Sequence, residues 1–374
     1  MSIETRFTDL PPLGPGNTVR LHNHEFTGNG SSRSAYIQAG LHADEHPGLL
    51  VIQHLQELLV ELHQQNRILG RIVLCPFANP VGMTQNVLGF WTGRFNLANG
   101  ENFNRNFPDL LPVLDAQLND HACEKLTPTQ RLVHAVAALS PADTVSAVRQ
   151  TLLGEALQHD VVLDLHCDTA GVLHLYANDA QRDQALTLAE CMNIEIVFLE
   201  KSAGGQPFDE SCNRPWDWLI EKGLRSIEER PFAASIELRG QADVDDQLAR
   251  LDALGILDFL ALEGLIRLDS PVEAKCIPKV YPLEGASHLP SPGHGLLVWK
   301  KRVGEAVSKG ELIGELVPID AAIGAHRLPI LSDVDGVITV QPLFKLVRAG
   351  QRVALLAGIE PLPNRRAGQL LNHF

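Results

Sequence analysis

The stretch that decides the fold of this chain is AGLHADEHPG, residues 39–48, which joins a short apolar strand to a helix. The strand is predicted over residues 34–39. A helix is predicted over residues 47–66, where apolar side chains recur at helical spacing behind an initial proline. His42 and Glu45 therefore lie three residues apart on a strand-to-helix turn. A histidine and a glutamate placed in this way can bind one metal ion together.

A helix-capping turn that binds no metal is the alternative for this motif, because short motifs recur by chance. The five residues from His42 also match H-x-x-E-H, in which two histidines one helical turn apart bind the metal and the glutamate is the base. Pro47 disfavours that interpretation, because a residue that precedes proline is pushed out of the α region. We therefore predict His42 and Glu45, but not His46, as ligands.

A third candidate ligand ends a second apolar strand. The segment VVLDLH finishes at His166, and its apolar run is typical of a strand covered on both faces. Two imidazoles and a carboxylate leave a fourth position open on zinc, as catalytic zinc sites do. We expect one zinc per chain, held by His42, Glu45 and His166, with Asp164 either orienting His166 or making a structural hydrogen bond. The facial triad of non-haem iron oxygenases uses the same ligand types, so iron is the alternative metal.

Three further motifs complete an ordered set. Asn79-Pro80 follows a predicted strand, NRNF occupies residues 104–107, and SIELR occupies residues 235–239. With H-x-x-E before them and the strand-terminal histidine among them, the chain resembles the succinylglutamate desuccinylase/aspartoacylase family, within the zinc carboxypeptidase (M14-like) superfamily. The resemblance spans about residues 35–240. The chain departs from close aspartoacylase relatives at Asn102, where they carry aspartate.

The resemblance implies roles for several of these residues. Glu237 would be the general base that takes a proton from water and returns it to the leaving nitrogen. Arg94 or Arg105 would stabilise the oxyanion, and Asn104 with Arg105 would hold a substrate carboxylate, because a guanidinium matches a carboxylate bidentately. The alternative for Glu237 is an ordinary ion pair with Arg239.

Two further points accompany these roles. The alternative for Arg105 is a surface ion pair with Asp109. The segment 209–214 is predicted to be a mobile loop that either contacts substrate or only connects elements.

The expected activity is zinc-dependent hydrolysis of the amide bond in an N-acyl amino acid or a similar small amide. A metallocarboxypeptidase that releases a C-terminal residue is the alternative within the superfamily. A non-enzymatic binding protein on the same fold is a further alternative, although every proposed catalytic group is present.

Composition restricts the partners. Net charge is −14 with no basic run, so nucleic acid is not an expected partner. No apolar stretch approaches the roughly 18 residues that span a membrane, and the N-terminus lacks a signal pattern. The six scattered cysteines form no C-x-x-C pair and indicate free thiols in a cytoplasmic protein. The expected partner is a small acylated amino acid, and the sequence leaves a homo-oligomer open.

The 374 residues favour two domains. Residues 1–270 alternate strands with helices, which predicts an α/β fold: a zinc-carboxypeptidase-like mixed sheet flanked by helices. The predicted strands are 34–39, 71–77, 160–166, 172–177, 194–199 and 233–238. The predicted helices are 47–66, 128–139, 143–159, 181–192 and 243–267.

Residues 280–374 are predicted to form a small all-β, barrel-sandwich-like domain, because an approximate 40-residue repeat appears there. The repeat resembles biotinyl/lipoyl carrier domains. No lysine lies between residues 320 and 336, so a carrier role is not expected.

Overall fold

The computed structural model describes residues 2–370 and has a mixed α/β architecture. The α-helices are α1 (Pro47–Gln64), α2 (Leu111–Gln117), α3 (Pro128–Ala137), α4 (Thr144–Ala156), α5 (Arg182–Met192), α6 (Phe208–Glu221) and α7 (Asp246–Leu262). The strands up to the end of the large sheet are β1 (Ser2–Leu10), β2 (Val19–Thr27), β3 (Ser34–Ala39), β4 (Arg71–Cys75), β5 (Asn86–Val87), β6 (Phe90–Trp91), β7 (Val161–Asp168), β8 (His174–Asn178), β9 (Ile196–Glu200), β10 (Phe232–Gly240) and β11 (Lys279–Pro282). The later strands are β12 (Ala286–Pro290), β13 (Gly295–Trp299), β14 (Ala306–Val307), β15 (Leu312–Val317), β16 (Leu328–Leu331), β17 (Gly336–Val340), β18 (Leu346–Val347) and β19 (Arg352–Gly358).

The large sheet has nine strands in the order β1-β2-β4-β3-β7-β10-β8-β9-β11. Its centre is parallel, because β4, β3, β7 and β10 run side by side in one direction. The strand β8 is antiparallel to β10, and β9 and β11 then run parallel to β8. The prediction of a large mixed sheet flanked by helices is confirmed.

Burial explains why these strands form the centre. In β3 every residue is buried, and β7 is buried from Val161 to Cys167. The apolar faces of α1, α5 and α7 pack against one side of the sheet, while α3, α4 and α6 contribute to a second apolar cluster on the other side. Strands covered on both faces carry continuous apolar runs, as the sequence indicated.

The C-terminal β region, strands β12–β19, consists of two four-stranded antiparallel sheets. The sheets β12-β19-β17-β14 and β16-β15-β13-β18 share one apolar cluster, to which Leu289, Ile313 and Val353 belong. This region also contacts the connection between β7 and β8: the Val172 N–H donates to the Thr339 carbonyl at 3.0 Å. The likeness to carrier domains and the boundary between residues 270 and 280 stay predictions.

Every predicted strand and helix is present, with ends that differ by a few residues. Two helices, α2 and α6, were not predicted. The prediction of a loop over residues 209–214 is wrong, because these residues lie in α6, which continues through Pro215. The helix was not predicted from the sequence because a proline ordinarily ends a helix.

No helix in the described part of the chain is long and apolar enough to cross a membrane.

Leu59 in α1 has no exposed surface and belongs to the apolar cluster between α1, α7 and the sheet. We expect Leu59→Ala to lower the free energy of unfolding by about 2–5 kcal/mol, because the substitution removes buried methyl groups and leaves a cavity. Leu251→Ala in α7 is the matched control, since Leu251 is 57% exposed and should change stability by no more than about 0.5 kcal/mol. Urea unfolding followed by circular dichroism measures both values. Equal losses in the two variants would contradict this assignment of the core.

Candidate metal centre and catalytic cavity

The turn that follows β3 places two of the predicted ligands. Gly40 has φ of +70°, a conformation that favours glycine, and it redirects the chain out of the sheet. The Glu45 N–H then donates to the His42 carbonyl at 3.1 Å, which closes the turn. His42 and Glu45 are only 3% and 2% exposed. The turn therefore delivers both side chains into a buried space at the carboxyl end of β3.

Two neighbouring loops hold this turn in place. The Asn79 side-chain amide donates to the Leu41 carbonyl at 2.9 Å. The Ala43 N–H donates to the Gly93 carbonyl at 3.0 Å. A Cβ at Gly93 would lie 2.5 Å from the Ala43 Cβ, so only glycine permits this approach. The Asn-Pro motif therefore supports the ligand turn from outside.

The third predicted ligand joins the first two across the sheet. His166 lies near the end of β7, which pairs in parallel with β3. The Nδ1 atoms of His42 and His166 lie 2.9 Å from Oε1 and Oε2 of Glu45, respectively. One ligand atom from each of the three residues lies within 4.8 Å of the others. This buried cluster can hold a metal ion.

The outer nitrogens of both imidazoles face oxygen atoms. His42 Nε2 lies 2.8 Å from Asn102 Oδ1, which also accepts the Asn104 N–H. His166 Nε2 lies 2.7 Å from Asp164 Oδ2. Such partners fix the orientation of metal-binding imidazoles. Asn102, the departure from the family pattern, thus offers its carboxamide oxygen to His42.

The protons of His42 test whether a cation fits this cluster. Burial lowers the pKa of His42, and the charge of Arg94 lowers it further, so the imidazole is neutral and carries one N–H. The Asn102 side-chain atom beside His42 accepts the Asn104 N–H, which identifies it as the carboxamide oxygen. It therefore also accepts the single N–H of His42, which is carried by Nε2. The Nδ1 lone pair then faces a carboxylate oxygen of Glu45. Two acceptors at this distance suit a cation between them, so the donor set fits a metal.

His46 lies outside the cluster. Its side chain reaches the Ala43 carbonyl at 3.2 Å, and α1 begins only at Pro47. The H-x-x-E-H interpretation, which requires both histidines on one helix, is therefore wrong. The expectation that Pro47 keeps His46 out of the α region is also wrong, because His46 has φ −90° and ψ −22° and lies in that region.

Glu237 lies on β10 directly beside His166 in the parallel register, and it lines a cavity of about 120 Å³ next to the ligand cluster. Burial raises the pKa of Glu237 to about 8, and the carboxylate of Glu45 adds to the rise. The alternative ion pair with Arg239 is wrong. Arg239 has φ of +64° at an irregularity in β10 and pairs with Asp252 instead.

The predicted arginines and Asn104 line the same cavity. The Arg94 guanidinium donates to Glu45 Oε1 at 2.9 Å, while 42% of its side chain is exposed. Asn104 Oδ1 accepts the Phe208 N–H at 2.8 Å, which ties the Asn-Arg segment to α6. Arg105 donates to the Asn104 carbonyl at 2.6 Å, and its Nε has no hydrogen-bond partner among the described residues.

The alternative ion pair of Arg105 with Asp109 is not formed. Asp109 instead lies 3.7 Å from Arg214. Burial lowers the pKa of Arg105 to about 10, and the charge of Arg94 lowers it further. The guanidinium therefore keeps its charge at neutral pH while facing the cavity.

Asp209 lies in the segment for which substrate contact was one of the two expectations, but sequence reasoning missed much of the remaining cavity wall. The other lining residues are Asp168, Tyr176, Glu200, Ala203, Pro207, Ser235, Leu283, His288, Arg352 and Arg365. Two of them, His288 and Arg352, come from the C-terminal β region, and Arg352 pairs with Asp168 at 3.0 Å. No local motif marks these residues, because their shared position depends on contacts between distant segments.

Comparisons with known proteins show what the chain is similar to in sequence and in fold. Residues 31–146 match the succinylglutamate desuccinylase/aspartoacylase catalytic domain. A protein of that family from Shewanella amazonensis, known from its crystal structure, is similar to this chain with a TM-score of 0.83 and 27% identity, over 95% of this chain and 98% of that one. The chain is therefore similar to the succinylglutamate desuccinylase/aspartoacylase family. The predicted resemblance is confirmed.

Two further proteins are similar to this chain. A family protein from Shewanella frigidimarina has a TM-score of 0.82 and 26% identity, over 95% of this chain and 97% of that one. The N-alpha-acetyl-L-2,4-diaminobutyric acid deacetylase of Halomonas elongata is 21% identical over 340 residues, which is 88% of this chain and 83% of that protein. The matched catalytic region contains His42 and Glu45, whereas His166 and Glu237 lie beyond it and are placed by the fold.

We expect His166→Ala to lose its bound metal and His46→Ala to retain it, because only the first removes a member of the cluster. Dialysis against zinc chloride, followed by elemental mass spectrometry, measures the metal per chain. Circular dichroism checks that both variants are folded. Full occupancy in folded His166→Ala, or loss in folded His46→Ala, would contradict the ligand assignment.

Proposed function

We propose that this chain is a zinc-dependent amidohydrolase that removes the acyl group from the α-nitrogen of an acylated amino acid. The observation that carries the proposal is the buried cluster of His42, Glu45 and His166 on the wall of a cavity shared with Glu237 and Arg105. The likeness to the succinylglutamate desuccinylase/aspartoacylase family supports it, since the similar protein from Halomonas elongata is named as a deacetylase of an Nα-acetylated amino acid.

Zinc in this cluster would be held by the two Nδ1 atoms and the carboxylate, and it would supply a Lewis acid that acidifies water and polarises an amide carbonyl. Glu237 takes the proton from the attacking water. As the water oxygen bonds to the carbonyl carbon and the carbon–nitrogen bond breaks, Glu237 returns that proton to the leaving nitrogen. The raised pKa of Glu237, about 8, suits a group that must both accept and donate a proton near neutral pH.

The arginines bind negative charge at two different stages. Arg94 contacts Glu45 in the cluster and would stabilise charge that develops on the carbonyl oxygen. Arg105 and Asn104 line the same cavity and would hold the α-carboxylate of the amino acid. The products are then a free carboxylic acid and an amino acid with its α-nitrogen restored.

The composition of the cavity wall favours a small substrate over a peptide. Residues of the C-terminal β region, among them His288 and Arg352, form part of that wall. A carboxypeptidase would need room there for the chain that precedes the scissile bond. A panel of Nα-acetyl and Nα-succinyl amino acids, compared with short peptides, tests this directly. Faster cleavage of the peptides would reject the deacylase proposal.

We expect Glu237→Gln to reduce kcat by roughly 10²–10⁴-fold, the usual effect of a positioned acid–base group, because an amide cannot carry the proton. Metal content and the unfolding midpoint should not change. Glu61→Gln on the exposed side of α1 is the matched control and should keep full activity. Near-normal turnover of metal-loaded Glu237→Gln would show that another residue is the base.

We expect Arg105→Lys to impair substrates with a free α-carboxylate more than their α-carboxamide analogues. Lysine keeps the charge but loses the two-pronged contact. The measurement is kcat/KM for both substrate types. Arg214→Lys, which alters a surface pair with Asp109, is the control and should affect neither type. Equal losses for both types in Arg105→Lys would assign Arg105 to the oxyanion or to the fold.

A further inference from the structure

Glu200 is a buried carboxylate that the proposed reaction does not use. It ends β9, is 8% exposed and lines the cavity that contains Glu237. Among the described residues, its Oε2 has no hydrogen-bond partner. A buried carboxylate oxygen without a partner is costly, so it calls for a cation or a hydrogen-bond donor from a ligand.

The register of the sheet shows how Glu200 relates to the reacting end of the cavity. Ser235 on β10 pairs with Tyr176 on β8, which in turn pairs with Phe198 on β9. Side chains two residues apart along a strand share a face, so Glu237 and Glu200 belong to the same face as these residues. Strand rise and spacing put the Cα atoms of Glu237 and Glu200 roughly 16 Å apart. The two carboxylates thus line opposite ends of one cavity.

Negative charge dominates around Glu200. Burial raises the pKa of Glu200 well above its ordinary value, and the carboxylates of Asp209 and Glu210 add to the rise, while Arg105 opposes it. Glu210 is already occupied, because it accepts hydrogen bonds from the Ser202 hydroxyl and from the N–H groups of residues 203 and 204. Asp209 accepts the Glu210 N–H at 2.9 Å. Glu200 is therefore the carboxyl group at this end that is available to a ligand, and a cation beside it would favour its ionised form.

The same cavity offers an available cation. Arg105 has a buried Nε without a hydrogen-bond partner, and no ion pair joins it to Glu200 in the described part of the chain. Arg352 is paired with Asp168. Arg365 donates to the Leu370 carbonyl and, like Arg105, has an Nε without a hydrogen-bond partner among the described residues, but it is the charge of Arg105 that opposes the raised pKa of Glu200. A ligand that carries both a carboxylate and an ammonium group would satisfy Arg105 and Glu200 together.

We infer that Glu200 binds the side-chain ammonium of the substrate, so that the preferred substrates are Nα-acyl derivatives of amino acids with a primary amine in the side chain. The inference rests on the proposed function for the orientation of the substrate. The α-nitrogen is blocked by the acyl group and lies at the Glu237 end, and the α-carboxylate occupies Arg105. The ammonium that reaches Glu200 must therefore come from the side chain.

Binding measurements test the inference without relying on turnover. The ligands are Nα-acetyl-L-ornithine, Nα-acetyl-L-glutamine and Nα-acetyl-L-glutamate, whose side chains are cationic, neutral and anionic. Isothermal titration in the zinc-loaded Glu237→Gln background avoids hydrolysis. We expect the ornithine derivative to bind about 10- to 10²-fold more tightly than the glutamine derivative, the usual strength of a charge-assisted contact.

Adding Glu200→Gln should abolish that preference while leaving the binding of the glutamine derivative within a few fold. Glu195→Gln is the matched control, because Glu195 is exposed just before β9 and should keep the preference. The inference is overturned if Glu200→Gln keeps the ornithine preference, or if the starting protein binds the glutamine or glutamate derivative as tightly as the ornithine derivative.

A second variant covers the case in which Glu200→Gln does not fold. Glu200→Asp retracts the carboxylate by one methylene, so the preferred ligand should shift from ornithine towards lysine derivatives. An unchanged order among the diaminobutyrate, ornithine and lysine derivatives would count against the inference. A hydrolysis assay of the protein with Glu237 intact separates the two proposals. Selective binding of the ammonium ligands without hydrolysis would reject only the proposed function. Hydrolysis without that selectivity would reject only the role of Glu200.

Discussion

The carboxylate of Glu45, held between the Nδ1 atoms of His42 and His166, is the contact on which the site depends. Burial works against its charge, yet the contacts with the imidazoles of His42 and His166 hold the pKa of Glu45 well below its usual range. The Cys167 N–H also donates to it at 3.1 Å. A buried charge persists only with such partners, so any shift of β3 against β7 would separate the three groups and expose the carboxylate to an unfavourable environment.

The parallel centre of the sheet makes this contact possible. Because β3, β7 and β10 are neighbours and run in the same direction, their carboxyl ends bring the ligand turn, His166 and Glu237 to one edge. The antiparallel β8 and its neighbour β9 then extend the same face away from that edge, as far as Glu200. One sheet therefore supplies both the reacting end and the acidic end of the cavity.

The C-terminal β region gives this cavity part of its wall rather than forming a separate body beside it. Arg352 pairs with Asp168 at the end of β7, and apolar residues of β17 and β19 share a cluster with Phe198 of β9. The ion pair with Asp168 fixes Arg352 in the cavity wall and occupies its guanidinium. Arg105 and Glu200, in contrast, each have a polar atom without a hydrogen-bond partner among the described residues. This difference separates residues that shape the cavity from residues that can recognise a ligand.

The sequence by itself determined the strands and helices that surround the site, the mixed α/β class and the likeness to the family, because apolar periodicity and short motifs are local properties of the chain. It also predicted His42, Glu45, His166 and Glu237, since each lies near the end of an apolar strand. Only the tertiary structure decided that Asn102 faces His42, that α6 continues through Pro215, and that Glu200 shares a cavity with Glu237. These features arise where segments far apart in sequence pack together, and neither residue spacing nor composition encodes which buried polar atoms are left without a partner.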